Sequence, residues 1–279
     1  MERKIKVGLI QYQIEPDRLK NLAKVETLLK QVKDRGADLA ILPEMFICPY
    51  ELELFTEYAE PIPDGRTCEF LREWAVKLNM NIVGGSLPER DETGRLYNTA
   101  TLWDTRGNLL AAHRKVHLFD VDLPGGVSFH ESDLLTPGQK VTVAEVLGMG
   151  LGIAVCYDIR FPEIFRLMAL QGAEFVALPG AFNNVSGPAH WELSLRARAV
   201  ENTVYLAGVS GTAAPGSSYQ SWGRSMVVDP FGQVTLNLGQ AEGFGVTEID
   251  PDRIKDIRAR LPLLKQRRAD LYELRLLKS

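Results

Sequence analysis

The stretch GLGIAVCYDIRFPE, residues 150–163, carries the strongest indication of fold and chemistry in this chain. Its first six residues are apolar and predict a buried strand, and Pro162 marks the first turn of a following helix. Cys156 falls in the turn between them, beside free backbone N–H groups and the positive end of a helix dipole. Both features favour a thiolate and can hold an oxyanion. The stretch therefore predicts a strand–turn–helix unit that presents a nucleophilic cysteine, although a lone cysteine in such a context is ordinarily a small buried side chain.

Strand and helix patterns alternate on both sides of this unit. Predicted strands cover residues 6–12, 39–42, 81–86, 97–104, 109–115, 141–146, 151–155, 174–178, 204–210, 221–228, 233–237 and 245–249. Predicted helices cover residues 17–35, 67–78, 162–171, 188–201 and 252–260, with Thr67 as the expected N-cap of the second. Residues 116–139 contain several glycines and prolines and predict a long loop of the kind that is often functional. The alternation predicts an α/β protein with mixed, layered sheets.

Composition excludes several classes of function. The chain has 279 residues and a net charge of -4, without the basic stripe of a nucleic-acid-binding protein. No apolar run approaches the ~20 residues of a membrane helix. Three cysteines without a disulfide rhythm, and an N-terminus without a signal-peptide pattern, predict free thiols in a reducing cytoplasm. His113 and His117 are four residues apart but not on one helical face, so neither a metal site nor a cofactor is expected.

Two further predicted strands end in charged residues. The segment LAILPE, residues 39–44, places Glu44 after a buried strand, and LLAAHRK, residues 109–115, places Lys115 at a strand end. If these strands share one sheet with the strand before Cys156, the three groups converge at one edge. Taken singly, Glu44 and Lys115 also fit an ordinary solvent-exposed position. Taken together, a base, a cation and a thiol suit acyl transfer from an amide through a thioester.

These motifs resemble those of the nitrilase superfamily of carbon–nitrogen hydrolases. The matching segments are LPE at 42–44, HRKVHLF at 113–119 and GIAVCYDIRFPE at 152–163. The resemblance implies a four-layer α-β-β-α sandwich with mixed sheets. It also implies a single carbon–nitrogen hydrolase domain over residues 1–279, with a charged, amphipathic tail from about 263, and a homodimer or higher homo-oligomer.

The same resemblance implies roles for four residues. Glu44 is expected to be the general base, Lys115 the cation that stabilises the tetrahedral intermediate, and Cys156 the nucleophile. Glu131, in the segment FHES at 129–132, is expected to orient the lysine and the substrate amide.

Four more segments resemble the omega-amidase branch of the superfamily: DVDLPG at 120–125, PGAFN at 179–183, GPAHWEL at 187–193 and RARAVEN at 196–202. Enzymes of this branch hydrolyse the terminal amide of short dicarboxylic monoamides, such as 2-oxoglutaramate and 2-oxosuccinamate. The reaction consumes water and gives the diacid and ammonia. Arg160 is then a candidate to bind the distal carboxylate, or alternatively to form a structural ion pair with Glu163 or another acid. The Tyr157 backbone N–H is a candidate oxyanion donor. Candidates for the pocket wall are Tyr50, Phe182 and Asn183.

Other interpretations of the motifs stay open at this point. The chain is also compatible with a superfamily amidase that acts on N-carbamoyl amino acids or on deaminated glutathione, and with a nitrilase that acts on nitriles. A non-catalytic, partner-binding member is the alternative of a different class. The presence of Glu44, Lys115 and Cys156 together argues against this last alternative.

Overall fold

The computed structural model describes residues 4–123, 127–213, 216 and 219–277. Within these residues the helices are α1 (Arg18–Asp34), α2 (Leu52–Tyr58), α3 (Arg66–Leu78), α4 (Pro162–Leu170), α5 (Gly187–Asn202) and α6 (Pro251–Arg260). The strands are β1 (Ile5–Gln11), β2 (Leu39–Ile41), β3 (Asn81–Arg90), β4 (Leu96–Trp103), β5 (Leu109–Arg114), β6 (Asp120–Leu123), β7 (Val127–His130), β8 (Thr142–Val146), β9 (Met149–Ile153), β10 (Ala173–Gly180), β11 (Tyr205–Ser210), β12 (Met226–Val228), β13 (Val234–Asn237) and β14 (Gly243–Ile249). Residues 124 and 125 of the segment DVDLPG lie outside the described residues.

Two six-stranded mixed sheets form the centre of the fold. The first has the order β14-β1-β2-β3-β4-β5 and the second the order β13-β12-β11-β10-β9-β8. In each sheet three neighbouring strands run parallel, namely β1 to β3 and β9 to β11, and their outer neighbours pair antiparallel. This arrangement confirms the prediction of mixed sheets.

The period of two along each strand separates two cores. Leu39 and Ile41 of β2 point into the core between the sheets, together with Leu151 and Ile153 of β9. Ala40, between them in sequence, faces a second core that includes apolar side chains of α1 and α3. Helices α4 and α5 cover the outer face of the second sheet. The layers therefore follow the order helix, sheet, sheet, helix, which confirms the four-layer sandwich.

The predicted start of helix α1 is confirmed, whereas the predicted N-cap of helix α3 is not. The Asp17 side chain accepts hydrogen bonds from the backbone N–H groups of Leu19 and Lys20 and so starts α1 as predicted. The prediction for Thr67 was wrong: Gly65 is the N-cap of α3, and the Thr67 N–H instead donates to Glu60 Oε1 at 2.8 Å. A carboxylate from a preceding loop thus replaces the local cap.

Other corrections concern segments with weak periodicity. The predicted loop 116–139 contains the antiparallel pair β6 and β7, followed by a 3₁₀ turn at Glu131–Asp133. The short helix α2 was not predicted, since its seven residues have no side-chain cap. The predicted strand 221–228 is reduced to β12, because Gly223 and Arg224 both adopt positive φ angles that end an extended strand.

The C-terminal segment after α6 contains no helix or strand between residues 262 and 277. Leu264 packs against the core, whereas Leu271 and Leu277 are exposed. Across the described ranges, no helix has both the length and the apolar character needed to cross a membrane.

Candidate active site

Glu44 is held in a tight turn that follows β2. The Met45 N–H donates to Ser86 Oγ at 3.0 Å, and the Ser86 N–H donates to the Pro43 carbonyl at 3.2 Å, so this turn is tied to β3. Gly85 permits the approach, since it has a φ of +53° and a Cβ there would lie 2.1 Å from the Pro43 oxygen. Met45 adopts a φ of 48°, in the left-handed region that non-glycine residues rarely occupy. The backbone therefore fixes the Glu44 carboxylate, which is buried.

Lys115 follows the end of β5 and is fully buried. Its ammonium group donates to Glu44 Oε1 at 3.2 Å, to the Tyr50 hydroxyl at 3.2 Å and to Glu131 Oε1 at 3.0 Å. All three N–H donors of the ammonium are thereby occupied. We call Glu44, Tyr50, Lys115 and Glu131 the ionic cluster.

Glu131 begins the 3₁₀ turn after β7 and completes the ionic cluster. Its Oε2 lies 2.8 Å from the Lys115 ammonium and accepts a hydrogen bond from the Phe119 backbone N–H at 2.7 Å. Its Oε1 accepts one from the Tyr50 hydroxyl at 2.5 Å. Tyr50, predicted to line the pocket, therefore binds both Glu131 and Lys115. The segment predicted as a loop brings Glu131 to the lysine because the β6–β7 hairpin folds it back.

Cys156 lies where β9 passes into a 3₁₀ turn at Cys156–Arg160. It has a φ of 45°, and the Ala181 backbone N–H at the end of β10 is directed at its sulfur. The assumption that all three strands share one sheet was wrong. Glu44 and Lys115 follow strands of the first sheet, whereas Cys156 follows a strand of the second. The three groups meet between the two sheets rather than at one sheet edge.

The electrostatics of Cys156 differ from the sequence-based expectation of a thiolate. Burial, and then the charge of Glu44, raise the pKa of the thiol well above its ordinary value, and Lys115 and the Ala181 N–H only partly oppose this. The direction of this shift favours a neutral thiol in the resting site, against the thiolate that the turn alone favours. Turning the thiol into a nucleophile requires a base that takes its proton as it attacks.

Glu44 has the properties of that base. Burial raises the pKa of its carboxyl above the ordinary value, and the charge of Lys115 acts in the opposite direction. Oε2 has no hydrogen-bond partner among the described residues. The Cys156 thiol lies close enough to lower the pKa of Glu44, but in the resting geometry it makes no well-formed hydrogen bond to Oε2. One carboxylate oxygen is therefore available for a proton.

The pKa of Lys115 results from two opposing causes. Burial alone lowers it, but the charges of Glu131 and Glu44 outweigh burial and raise it above the ordinary value. Lys115 therefore remains a cation throughout the neutral pH range. It offsets one of the two buried carboxylates and supplies positive charge beside the thiol.

Asp158 is a buried residue that the sequence analysis did not single out. Its Oδ2 accepts a hydrogen bond from the Val155 N–H at 2.9 Å and lies 3.3 Å from His113 Nε2. Its Oδ1 accepts from the His117 N–H at 2.9 Å and lies 2.7 Å from His117 Nδ1. His113 and His117 flank Lys115 in sequence, so Asp158 joins the turn of Cys156 to the segment of Lys115. The i,i+4 spacing of the histidines reflects this shared partner.

Hydrogen bonds from histidine and backbone N–H groups lower the pKa of Asp158 despite its complete burial. Asp158 is therefore an anion at neutral pH. In the described part of the chain, no group of three or more His, Cys, Asp or Glu side chains is placed to hold a metal ion.

A narrow, partly open cleft leads to Cys156. Its lining residues are Phe119, Cys156, Tyr157, Arg160, Ala181, Phe182, Ser186 and Tyr219. We call Tyr157, Arg160, Phe182 and Tyr219 the cleft wall. Tyr219 was not predicted, because nothing in the local sequence connects it to the cysteine. It donates a hydrogen bond to the Ala181 carbonyl, and its ring lies 4.8 Å from that of Tyr50.

Arg160 is the cation of the cleft wall. Its guanidinium lies 5.0 Å from the centre of the Phe182 ring and 5.6 Å from that of Tyr157. One nitrogen, Nη1, lies 3.1 Å from His190 Nδ1. The alternative ion pair with Glu163 does not form, and within the described residues Arg160 has no carboxylate partner. The other guanidinium nitrogens, which do not contact His190, can therefore bind an anion that enters the cleft.

Phe182 and Asn183, both candidates for the pocket wall, occupy different positions relative to the cleft. Phe182 lines the cleft and packs on Trp191, with ring centres 5.0 Å apart. Asn183 does not line it, since its side-chain oxygen accepts hydrogen bonds from the N–H groups of Val185 and Ser186 and from the Ser186 hydroxyl. Asn183 therefore shapes the approach to α5, and its assignment to the pocket wall was wrong.

The sequence and structure of this chain match those of known enzymes. Residues 6–259 match the family described as Carbon-nitrogen hydrolase. The chain belongs to the carbon–nitrogen hydrolase family. Omega-amidase NIT2 of Danio rerio is 42% identical to it over 269 residues, covering 96% of both chains. Omega-amidase NIT2 of Homo sapiens is 40% identical over 267 residues, again covering 96% of both.

Solved structures of other carbon–nitrogen hydrolases share this fold. Nit3 of Saccharomyces cerevisiae, a member of the nitrilase superfamily, superimposes with a TM-score of 0.88 at 38% identity, covering 95% of this chain and 97% of Nit3. An amidase from Nesterenkonia sp. AN1, in which acrylamide has added to the active-site cysteine, gives a TM-score of 0.75 at 29% identity and covers 92% and 98%. As a member of this family, the protein is a hydrolase that acts on carbon–nitrogen bonds in amides.

Proposed function

We propose that this carbon–nitrogen hydrolase is an omega-amidase that converts short dicarboxylic monoamides, such as 2-oxoglutaramate and 2-oxosuccinamate, to the diacid and ammonia. The observation that carries the proposal is the ionic cluster beside the thiol of Cys156, at the end of a cleft that bears the Arg160 guanidinium, which has no carboxylate partner among the described residues. The names of the relatives at about 42% identity support the same activity.

In the first half of the reaction, the Cys156 sulfur attacks the amide carbon while Glu44 Oε2 takes the thiol proton. The carbonyl π electrons move to oxygen, and Lys115 stabilises the resulting negative charge together with the Tyr157 N–H. Among the described residues this N–H donates to no backbone carbonyl, so it is available. When the tetrahedral intermediate collapses, the C–N bond breaks and Glu44 returns its proton to the leaving nitrogen. Ammonia departs and a thioester remains.

In the second half, Glu44 takes a proton from water while the water oxygen bonds to the thioester carbon. The second intermediate carries its negative charge on the same oxygen, beside Lys115. Its collapse breaks the C–S bond, and the proton held by Glu44 returns to sulfur. The acid product leaves, and the enzyme is again a neutral thiol with an ionised base. Glu131 and Tyr50 keep the lysine in place in both halves.

Arg160 is proposed to bind the distal carboxylate of the substrate. A guanidinium pairs with a carboxylate through two parallel hydrogen bonds, and its position on the cleft wall faces a ligand that enters toward Cys156.

We also propose that the enzyme works in the cytoplasm as a homodimer or a higher homo-oligomer. The exposed apolar side chains of Val185 and Leu193, at and near the start of α5, support an association between subunits. Light scattering at several protein concentrations gives the mass in solution, and a monomer at all of them contradicts this part of the proposal.

The proposed activity is tested by product release from five compounds. Ammonia is measured from 2-oxoglutaramate, succinamate, N-carbamoyl-β-alanine and a simple nitrile, and the released peptide amine is measured from deaminated glutathione, whose amide nitrogen belongs to that peptide. We expect strong turnover of the two monoamides and a loss of at least about 10⁴-fold in Cys156→Ala, which lacks the nucleophile. Cys68→Ala is the matched control, because Cys68 is a buried free thiol that lies outside the site. It should retain activity.

The other outcomes distinguish the remaining interpretations. Turnover of only the carbamoyl or glutathione compound keeps the thioester chemistry and replaces the substrate. Turnover of only the nitrile identifies a nitrilase. Absence of turnover on all five by the folded protein rejects the omega-amidase proposal.

A further inference from the structure

Asn98 on β4 contacts two members of the ionic cluster and has no part in the mechanism described above. It is completely buried, and its Nδ2 donates a hydrogen bond to Glu44 Oε1 at 2.8 Å. Its backbone carbonyl accepts a hydrogen bond from the backbone N–H of Lys115, also at 2.8 Å. One residue therefore fixes the base through its side chain and the catalytic lysine through its backbone.

The contact with Asn98 makes the two oxygens of Glu44 different. Oε1 accepts hydrogen bonds from Asn98 Nδ2 and from the Lys115 ammonium. Oε2 accepts none from the described residues. Since donors on Oε1 stabilise negative charge at that atom, an incoming proton goes to Oε2. Asn98 and Lys115 together thus direct the proton to Oε2, and Asn98 makes the shorter of the two contacts.

The other end of the Asn98 side chain argues against a purely structural role. Its Oδ1 is buried and has no hydrogen-bond partner among the described residues. Burying an amide oxygen without a partner costs free energy, and an apolar side chain of the same size avoids that cost. Stability alone therefore does not favour an asparagine here, whereas a neutral donor to Glu44 requires one or a similar group.

We propose that Asn98 is a positioning residue that keeps Glu44 ionised and turned so that Oε2 takes the proton of Cys156. This inference rests on the proposed role of Glu44 as the general base. It does not depend on which amide is the substrate.

The test measures the rate at which iodoacetamide alkylates Cys156 as a function of pH, followed by peptide mass spectrometry. Sulfur displaces iodide, and Glu44 takes the thiol proton, so the rate rises as Glu44 ionises. In Asn98→Ala we expect the midpoint to move upward by about one pH unit, because removing a hydrogen bond from a carboxylate raises its pKa. The rate below the midpoint should then fall by about tenfold. Cys48 and Cys68 are internal references, because burial raises the pKa of both thiols, that of Cys68 to about 12.

Asn202→Ala is the matched control. Asn202 is also buried, its Nδ2 donates to a carbonyl, that of Arg198, and its Oδ1 has no partner among the described residues. It lies at the far end of α5 and should leave the midpoint unchanged. If Asn98→Ala does not fold, Asn98→Asp preserves the size of the side chain. It should also raise the midpoint, since a second carboxyl beside Glu44 disfavours ionisation.

The outcomes separate this inference from the proposed function. A lower alkylation rate with an unchanged midpoint in both Asn98 variants overturns the positioning role and leaves the amidase proposal intact. A shifted midpoint in a protein that fails the ammonia assay supports the role of Asn98 and rejects the substrate. Unchanged alkylation in Glu44→Gln rejects Glu44 as the base and overturns the inference with it.

Discussion

The ionic cluster and the cleft wall lie on either side of Cys156, yet they are built in opposite ways. The charged members of the ionic cluster are completely or almost completely buried, and the Lys115 ammonium has a partner for each donor. The cleft wall is aromatic and, except for the buried Phe182, partly exposed, and its guanidinium has no carboxylate partner among the described residues. A buried network in which each donor of the cation is occupied keeps a fixed geometry, whereas a wall whose cation has no carboxylate partner can accept a ligand. The comparison assigns the chemistry to the first region and the choice of substrate to the second.

The largest effect is expected from Lys115→Met, which removes the cation of the ionic cluster. Glu44 and Glu131 are then two buried carboxylates without a counter-charge, a change that costs about 3–5 kcal/mol of stability. The developing oxyanion also loses its charge partner, so kcat should fall by at least about 10³-fold. Urea unfolding and ammonia release measure the two effects.

Lys30→Met is the control for Lys115→Met, since Lys30 forms an exposed pair with Glu26 and should change either quantity little. If Lys115→Met keeps its activity within about tenfold of the unchanged protein, the assignment of chemistry to the ionic cluster is wrong.

A smaller effect is expected where the two regions are joined, at Asp158. Asp158→Asn removes a buried anion that accepts hydrogen bonds from both sides of the site and should cost about 2–4 kcal/mol at pH 7. The pKa of Asp158 is lowered in the folded protein. Its contribution is therefore fully present above the ordinary carboxyl pKa and is lost only as the pH falls through the lower, folded value.

Unfolding by urea at pH 5, 6 and 7 tests this sign, because the difference between Asp158→Asn and the unchanged protein should be constant over that range. Asp256→Asn, in an exposed pair with Arg260, is the comparison variant. A difference that disappears between pH 7 and pH 5 contradicts a lowered pKa of Asp158.

The ends of strands were predictable from sequence, but the assembly of the strands was not. Glu44, Lys115 and Cys156 each follow a short apolar run, and a run of this kind marks the end of a strand locally. The periodicity along a strand does not indicate which sheet it joins, so the division of these residues between two sheets could not be predicted. Only the three-dimensional structure shows that Glu44 and Cys156, which follow strands of different sheets, lie close together.

The sequence also did not reveal the residues of the site that position a catalytic side chain or its segment without reacting themselves. Asn98 occupies a strand interior and Asp158 a turn, and each type is common in such places without any catalytic role. What distinguishes them is a contact with a residue distant in sequence, from Asn98 to Glu44 and from Asp158 to His113. Asn183 is the opposite case. It is next to Phe182 in sequence, but it is not one of the residues that line the cleft.

The smallest effect, and the most selective, is expected from Arg160→Ala in the cleft wall. If Arg160 binds the distal carboxylate, its removal should lower kcat/KM for succinamate by about 10- to 100-fold, the value of a charge-assisted hydrogen bond. An uncharged amide such as propionamide has no carboxylate to lose, so its kcat/KM should change by less than about threefold. Arg260→Ala, on the exposed side of α6, is the control for loss of a positive charge.

Equal losses on both substrates would mean that Arg160 supports the ionic cluster rather than selecting the substrate. No loss on either would place the carboxylate elsewhere in the cleft. Only a loss confined to the charged amide preserves the division between a region that performs the chemistry and a region that selects the substrate.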